Sequence, residues 1–254
     1  MRLRRFINEG RSKSISLEQA METIRENCKD FLKKGSILYR GVDDSNDAAL
    51  IISPANFERK SRNTTNHYTL LMDNLPAWKS YPKRSKSIIC ATDIEYASNM
   101  GYAYRVYMFD GSKIGVCPTN DLWGSFTLDT ESLEFFNDSI GIMIDKFDTG
   151  AKESDIVTYN DLLQLFNKFD DYKSDFEIDR HMFPSYFSFT LFEPYFNTDV
   201  KFIDFVKEIL DPERHKFKLQ NTRTFRNIKE REVWTDGTSI LLRADITSDV
   251  INSF

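Results

Sequence analysis

The run Glu230-Arg231-Glu232-Val233-Trp234-Thr235-Asp236-Gly237-Thr238-Ser239-Ile240-Leu241-Leu242-Arg243 constrains this chain more than any other stretch. Two glutamates one residue apart run into a turn and a β-rich stretch, and a strand built there holds the pair at the edge of a cleft. Two earlier pieces complete an ordered set: an arginine on an early strand, Leu38-Tyr39-Arg40-Gly41, and a hydroxyl-bearing segment from Ser85 to Thr92.

Composition says what kind of body carries these pieces. The 254 residues are 41% hydrophobic and include 21 Phe and 11 Tyr, enough to build a real core. The formal net charge of -5 gives no electrostatic case for nucleic acid. Cys28, Cys90 and Cys117 lie too far apart for paired zinc spacing and read as reduced thiols of a cytoplasmic compartment. No apolar run approaches the roughly 20 residues that cross a bilayer, so no membrane partner is expected.

Helical spacing of Ala20, Ile24, Cys28 and Phe31 predicts a helix from Leu17 to Leu32, capped by Ser16 and stopped at Gly35. Ser36 to Val42 reads as a strand carrying Arg40. Asp43 to Asn66 reads as polar loop around the apolar Ala48-Ala49-Leu50-Ile51-Ile52, and Tyr68 to Leu75 as a helix. Ser85 to Cys90 reads as a strand, with Thr92 capping a helix that runs to Met100 and ends at Gly101. Tyr104 to Phe109 and Lys113 to Cys117 are strands flanking the Asp110-Gly111 turn. Leu133 to Tyr172 is largely helical and acidic, and Phe202 to Leu210 is amphipathic. Phe183 to Phe196, dense in Phe and Tyr, is either core or a docking surface. The expected organisation is a basic tail over 1–15, a candidate processed leader, and a single domain over 16–254 with a helical insertion at about 130–215.

Several sites are excluded. The chain has no Gly-x-Gly-x-x-Gly, no phosphate loop, no His-Glu-x-x-His and no Cys-x-x-Cys. His67, His181 and His215 are isolated from one another, which argues against a metal hydrolase.

The ordered set of Arg40, the Ser85 to Thr92 segment and Glu230-Arg231-Glu232 resembles the arginine-serine-glutamate arrangement of mono-ADP-ribosyltransferases, including those of tailed phages. The resemblance rests on Leu38 to Gly41, on the unit Ser87 to Met100 with Ala97 on its helix, and on Glu230 to Leu242. It implies an α+β fold, with an ADP-ribosyltransferase-like split β-sheet core, an N-terminal helix and a largely helical insertion. It also implies NAD as substrate and a host protein as acceptor, modified at arginine. Arg40 then binds the NAD phosphates, a task suited to its planar fork of donors, and Arg84 offers a second phosphate contact. Glu232 stabilises the charge that builds on the ribose as nicotinamide leaves, and Glu230 orients or deprotonates the nucleophile. The serine element aligns in two ways. Ser85-Lys86-Ser87 preserves the hydroxyls, whereas Cys90-Ala91-Thr92 better matches the distance to the following helix, with Ser87 as a pocket or structural residue and Thr92 as the cap. Tyr39, Tyr102, Tyr104 and Trp123 stack on nicotinamide or adenine, or else belong to the core.

Ile7-Asn8-Glu9-Gly10 looks like the site at which prohead proteases of tailed phages remove short leaders from internal head proteins. That similarity implies packaging in the phage head and action in the host cytoplasm. Two alternatives stand beside the transferase: a catalytically inactive domain of the same kind serving as a virion or host-interaction protein, and an NAD glycohydrolase.

Overall fold

A computed structural model of the chain describes residues 12–34, 37–43, 45–56, 59, 65–128, 131–132, 136–147, 150–173, 192–226 and 229–246. The expected leader site at Ile7 to Gly10 and the helix stop at Gly35 lie outside the described residues.

In chain order the elements are β1 (Lys13–Ser14), α1 (Leu17–Asn27), α2 (Lys29–Lys33), β2 (Tyr39–Val42), β3 (Ala49–Ile52), α3 (His67–Asn74), β4 (Ile88–Ala91), α4 (Ile94–Ser98), β5 (Tyr102–Met108), β6 (Lys113–Val116), β7 (Thr127–Leu128), β8 (Glu131–Ser132), α5 (Phe136–Lys146), α6 (Tyr159–Tyr172), α7 (Phe202–Ile209), β9 (Lys218–Asn221), β10 (Glu232–Thr235) and β11 (Ser239–Arg243). The fold is α+β. Nine strands form one sheet in the order β1-β3-β11-β5-β2-β4-β10-β6-β9, with every recorded pairing antiparallel.

Two compact units divide the chain. The first comprises 1–60, 79–125 and 216–254 and holds the whole sheet; the second comprises 61–78 and 126–215.

Within the first unit the sheet is nearly two sheets. β1-β3-β11-β5-β2 and β4-β10-β6-β9 are each laced by several register pairs, but β2 and β4 share the single pair Tyr39↔Ala91. The Asp110-Gly111 turn does not close a hairpin, because β5 pairs with β11 and β2 while β6 pairs with β10 and β9. The turn after β10 likewise delivers β11 to the other half, and Phe109 N donates to Thr238 O (3.0 Å), tying the two crossings together.

α1 starts as its sequence predicts. Ser16 accepts from Gln19 N (3.2 Å) and the Gln19 side chain accepts from Ser16 N (3.3 Å), a reciprocal cap. The expected continuous helix to Leu32 is broken at Cys28. Asp110 N donates to Asn27 O (2.6 Å) and Asp110 Oδ1 accepts from Asp30 N (2.8 Å), so the β5–β6 turn takes backbone groups at the break. Ala20, Ile24, Cys28 and Phe31 nonetheless bury together against Leu38, Leu50, Val106, Ile240 and Leu241. Full burial of each large aliphatic or aromatic side chain stabilises by roughly 1.5–3 kcal/mol. The apolar island in the expected 43–66 loop is a strand, β3, seated between β1 and β11.

The second unit is built on aromatic packing. Phe202 of α7 meets Phe166 (4.7 Å between centroids) and Phe169 (5.3 Å) of α6 edge-on. Asp170 Oδ1 accepts from both Tyr195 Oη (3.1 Å) and Phe202 N (2.8 Å). Of the aromatic run expected as core or docking surface, Phe192, Tyr195 and Phe196 are buried; residues 183–191 lie outside the described residues. No helix among the described residues is long and apolar enough to cross a membrane.

Candidate functional site

The register brings three of the sequence pieces level with one another. Tyr39 on β2 pairs with Ala91 on β4, and Ala91 pairs with Glu232 on β10. Adjacent strands lie roughly 4.8 Å apart, so about 10 Å separates the Tyr39 and Glu232 backbones. The residue after Tyr39 is Arg40, and the residue after Ala91 is Thr92.

Arg40 is 8% exposed, and Nη1 donates to the Ile89 carbonyl (2.6 Å). Thr92 N donates to Arg231 O (3.1 Å), so by strand alternation the Ile89 carbonyl faces the other way, towards β2. Beyond Tyr39↔Ala91 the β2–β4 ladder stops, and the guanidinium supplies the donor that a continued ladder takes from backbone. Gly41, next along β2, admits α4: a Cβ there would overlap the Ala97 carbonyl oxygen and the Met100 backbone.

The serine element differs from expectation. Residues 84–86 form a 3₁₀ turn, so the strand begins at Ile88 rather than Ser85. Ser85 contributes its carbonyl to Arg59 N (2.6 Å), and buried Ser87 donates to Lys83 O (2.6 Å). Ile88 pairs with Thr235, at the end of β10 away from Glu232, so Ser85 and Ser87 are not brought to the glutamate. Thr92 is. Its Oγ1 accepts from Arg231 N (2.9 Å), fixing the chain at the entrance to β10. Because that hydroxyl is committed across strands, Asp93 and not Thr92 caps α4, its Oδ1 accepting from Glu95 N (2.8 Å).

The two glutamates separate. Glu232 is 8% exposed within β10, whereas Glu230 precedes the strand, is exposed and has a left-handed φ of 55°. Arg84, expected beside phosphate, is instead the buried partner of Glu232, with Nη2 2.5 Å from Oε1. Burial works against the Arg84 charge, and the Glu232 carboxylate more than restores it, holding the guanidinium above its usual range. The Arg84 guanidinium also lies 5.5 Å from the Trp234 ring centroid.

Three further groups respond to the Glu232 charge without having announced themselves in the sequence. Cys117 Sγ points at Glu232 Oε1 (3.9 Å), and burial followed by the Glu232 charge pushes this thiol well up. Asp121, in the turn after β6, is raised by burial and then by Glu232, opposed by N–H donation from Gly124 and the charge of Arg84. Tyr96 of α4 is raised by burial, then by Asp121 and Glu232. The only available signal was the polar Thr119-Asn120-Asp121 composition of a turn directly after a strand. Of the rings considered for stacking, Tyr104 is core, its Oη donating to Asp47 O (2.7 Å). Exposed Tyr102 lines a shallow cavity of about 350 Å³ with Ile94, Ala103 and Arg243, which contains none of the predicted site residues. The described residues contain no cluster of metal-ligating side chains, and the three cysteines are buried and free.

No protein-family model matches the chain, and neither does any curated protein or solved structure.

Proposed function

We propose that the protein is an NAD-dependent mono-ADP-ribosyltransferase of phage type that modifies a host protein at arginine. The observation that supports this reading is the row Tyr39–Ala91–Glu232, which sets β2, the strand of Arg40, and β4, which runs into Thr92, beside β10 and Glu232 where the sheet is joined by one pair. The near-division into a five-strand and a four-strand half supports the ADP-ribosyltransferase-like split sheet.

The chemistry follows from these residue types. Cleavage of the nicotinamide–ribose bond builds positive charge on the sugar, and a carboxylate fixed before reaction stabilises that charge at no reorganisation cost. Arg84 fixes Glu232 in this way. Arg40 offers guanidinium donors beside the seam for a pyrophosphate. The phage origin, head packaging and host delivery rest on Ile7 to Gly10 and on the resemblance of the site.

Incubating the protein with labelled NAD and bacterial lysate tests the reading. Label transferred to protein, and lost in Glu232→Ala, is the expected result. A second reading, the catalytically silent interaction domain, is favoured by one observation: the Glu232 carboxylate is largely buried and already ion-paired. Nicotinamide release without transfer would instead indicate an NAD glycohydrolase, and neither release nor transfer from folded protein would leave the silent domain.

A further inference from the structure

A second acidic residue, Asp121, lies on the turn that leaves the strand beside Glu232. Glu232 N donates to Thr119 O (2.9 Å) and Cys117 N donates to Glu232 O (2.9 Å), so the chain leaving β6 runs directly alongside the glutamate. Two residues on, the turn is clasped around Asp121. Thr119 Oγ1 donates to Asp121 O (2.8 Å), Ser125 Oγ donates to the same carbonyl (2.6 Å), and Gly124 N reaches Asp121 Oδ2 (3.4 Å). Asp121 is half-buried, and the charges of Asp121 and Glu232 add to burial in raising the Tyr96 phenol on α4. Glu230 differs: it is exposed ahead of β10, and its carbonyl accepts from Arg231 Nη1 (3.0 Å).

We propose that Asp121, rather than Glu230, is the second carboxylate of the site, the group that orients and deprotonates the acceptor. The assignment rests on the transferase reading above. In the step it serves, the bond from ribose C1′ to the nicotinamide nitrogen breaks and its electron pair leaves with nicotinamide. A guanidino nitrogen of the acceptor forms the new bond to C1′, and the proton it sheds passes to the Asp121 carboxylate and on to solvent. Asp121 would stay ineffective as a base if protonated, and its raised affinity for protons, set by burial and Glu232, brings it nearer the working range of a general base.

The experiment uses full-length protein with NAD and agmatine, a small guanidine, and measures agmatine modification and acceptor-free nicotinamide release for wild type, Asp121→Asn, Asp121→Glu and Glu230→Gln. Loss of a general base costs on the order of 10²-fold or more. Asp121→Asn is therefore expected to lose agmatine modification by about that factor while releasing nicotinamide far less impaired, with partial recovery in Asp121→Glu and little change in Glu230→Gln. An active wild type whose modification survives Asp121→Asn, or disappears in Glu230→Gln, overturns the assignment and leaves the transferase reading intact. Wild type that cleaves no NAD overturns both. Thermal melting of each variant identifies a loss caused by unfolding, in which case Asp121→Glu decides.

Discussion

Arg84 Nη2 and Glu232 Oε1 lie 2.5 Å apart, with side chains only 5% and 11% exposed, although 148 residues separate them in sequence. Breaking such a pair from one side strands a buried charge, which costs about 3–5 kcal/mol. Arg84→Met is therefore expected to destabilise by that amount in urea denaturation. Arg84→Met combined with Glu232→Gln should recover much of the loss; strict additivity of the two single changes would show that the charges are not coupled.

Trp234 locks the neighbouring strand. Its Nε1 donates to Pro82 O (2.9 Å), and Tyr81 stacks on it at 6.0 Å. On β6 a Cβ at position 115 would overlap the indole. Gly115→Ala should cost about 3 kcal/mol through overpacking, read as a lowered denaturation midpoint and a shifted tryptophan emission. An unchanged midpoint would mean that the β6–β10 contact is looser than described.

Asp121 carries a pH signature. Burial and Glu232 raise its pKa in the folded protein, so it binds a proton more readily folded than unfolded. The associated stability is present below the unfolded carboxyl value and is lost as pH rises through the folded value. Asp121→Asn should accordingly raise the melting temperature at pH 7 relative to wild type and give a smaller gain at pH 4. A gain that is larger at pH 4 would contradict the assigned shift.

Glu230 holds φ at 55°, in the left-handed region that favours glycine. Glu230→Gly should leave stability unchanged or increase it by up to about 1 kcal/mol, measured by the same denaturation curves. A clear loss would reveal a side-chain contact that Glu230 makes in solution.

Local features of the fold were legible in the sequence, and features set by pairing were not. The Ser16 cap of α1 is written within four residues, and the strand containing Glu232 follows from its own β-rich composition. β3 reads as an apolar island in a polar loop because its partner β11 lies far along the chain. Edge strands β1 and β9 carry polar residues that solvent exposure permits, so neither has the alternation of a half-buried strand. The two frames for the serine element differ by about one strand length, and only the pairing of Ala91 with Glu232 decides which residues are level with the glutamate. Arg84 is equally opaque: nothing near it in sequence distinguishes a phosphate-binding arginine from one that neutralises a buried acid.

On the transferase reading, the seam between β2 and β4 bears on how a ligand is admitted. Among the described residues, the Tyr39↔Ala91 rung and the Arg40 guanidinium on the Ile89 carbonyl join the two halves of the sheet at this level. An anion that recruits Arg40 must compete with that carbonyl, and a charged hydrogen bond of this sort is worth about 1.5–3 kcal/mol. On that reading, a pyrophosphate drawn to Arg40 and the spacing of β2 and β4 are then linked in both directions: the substrate acts as a key that loosens the latch it turns.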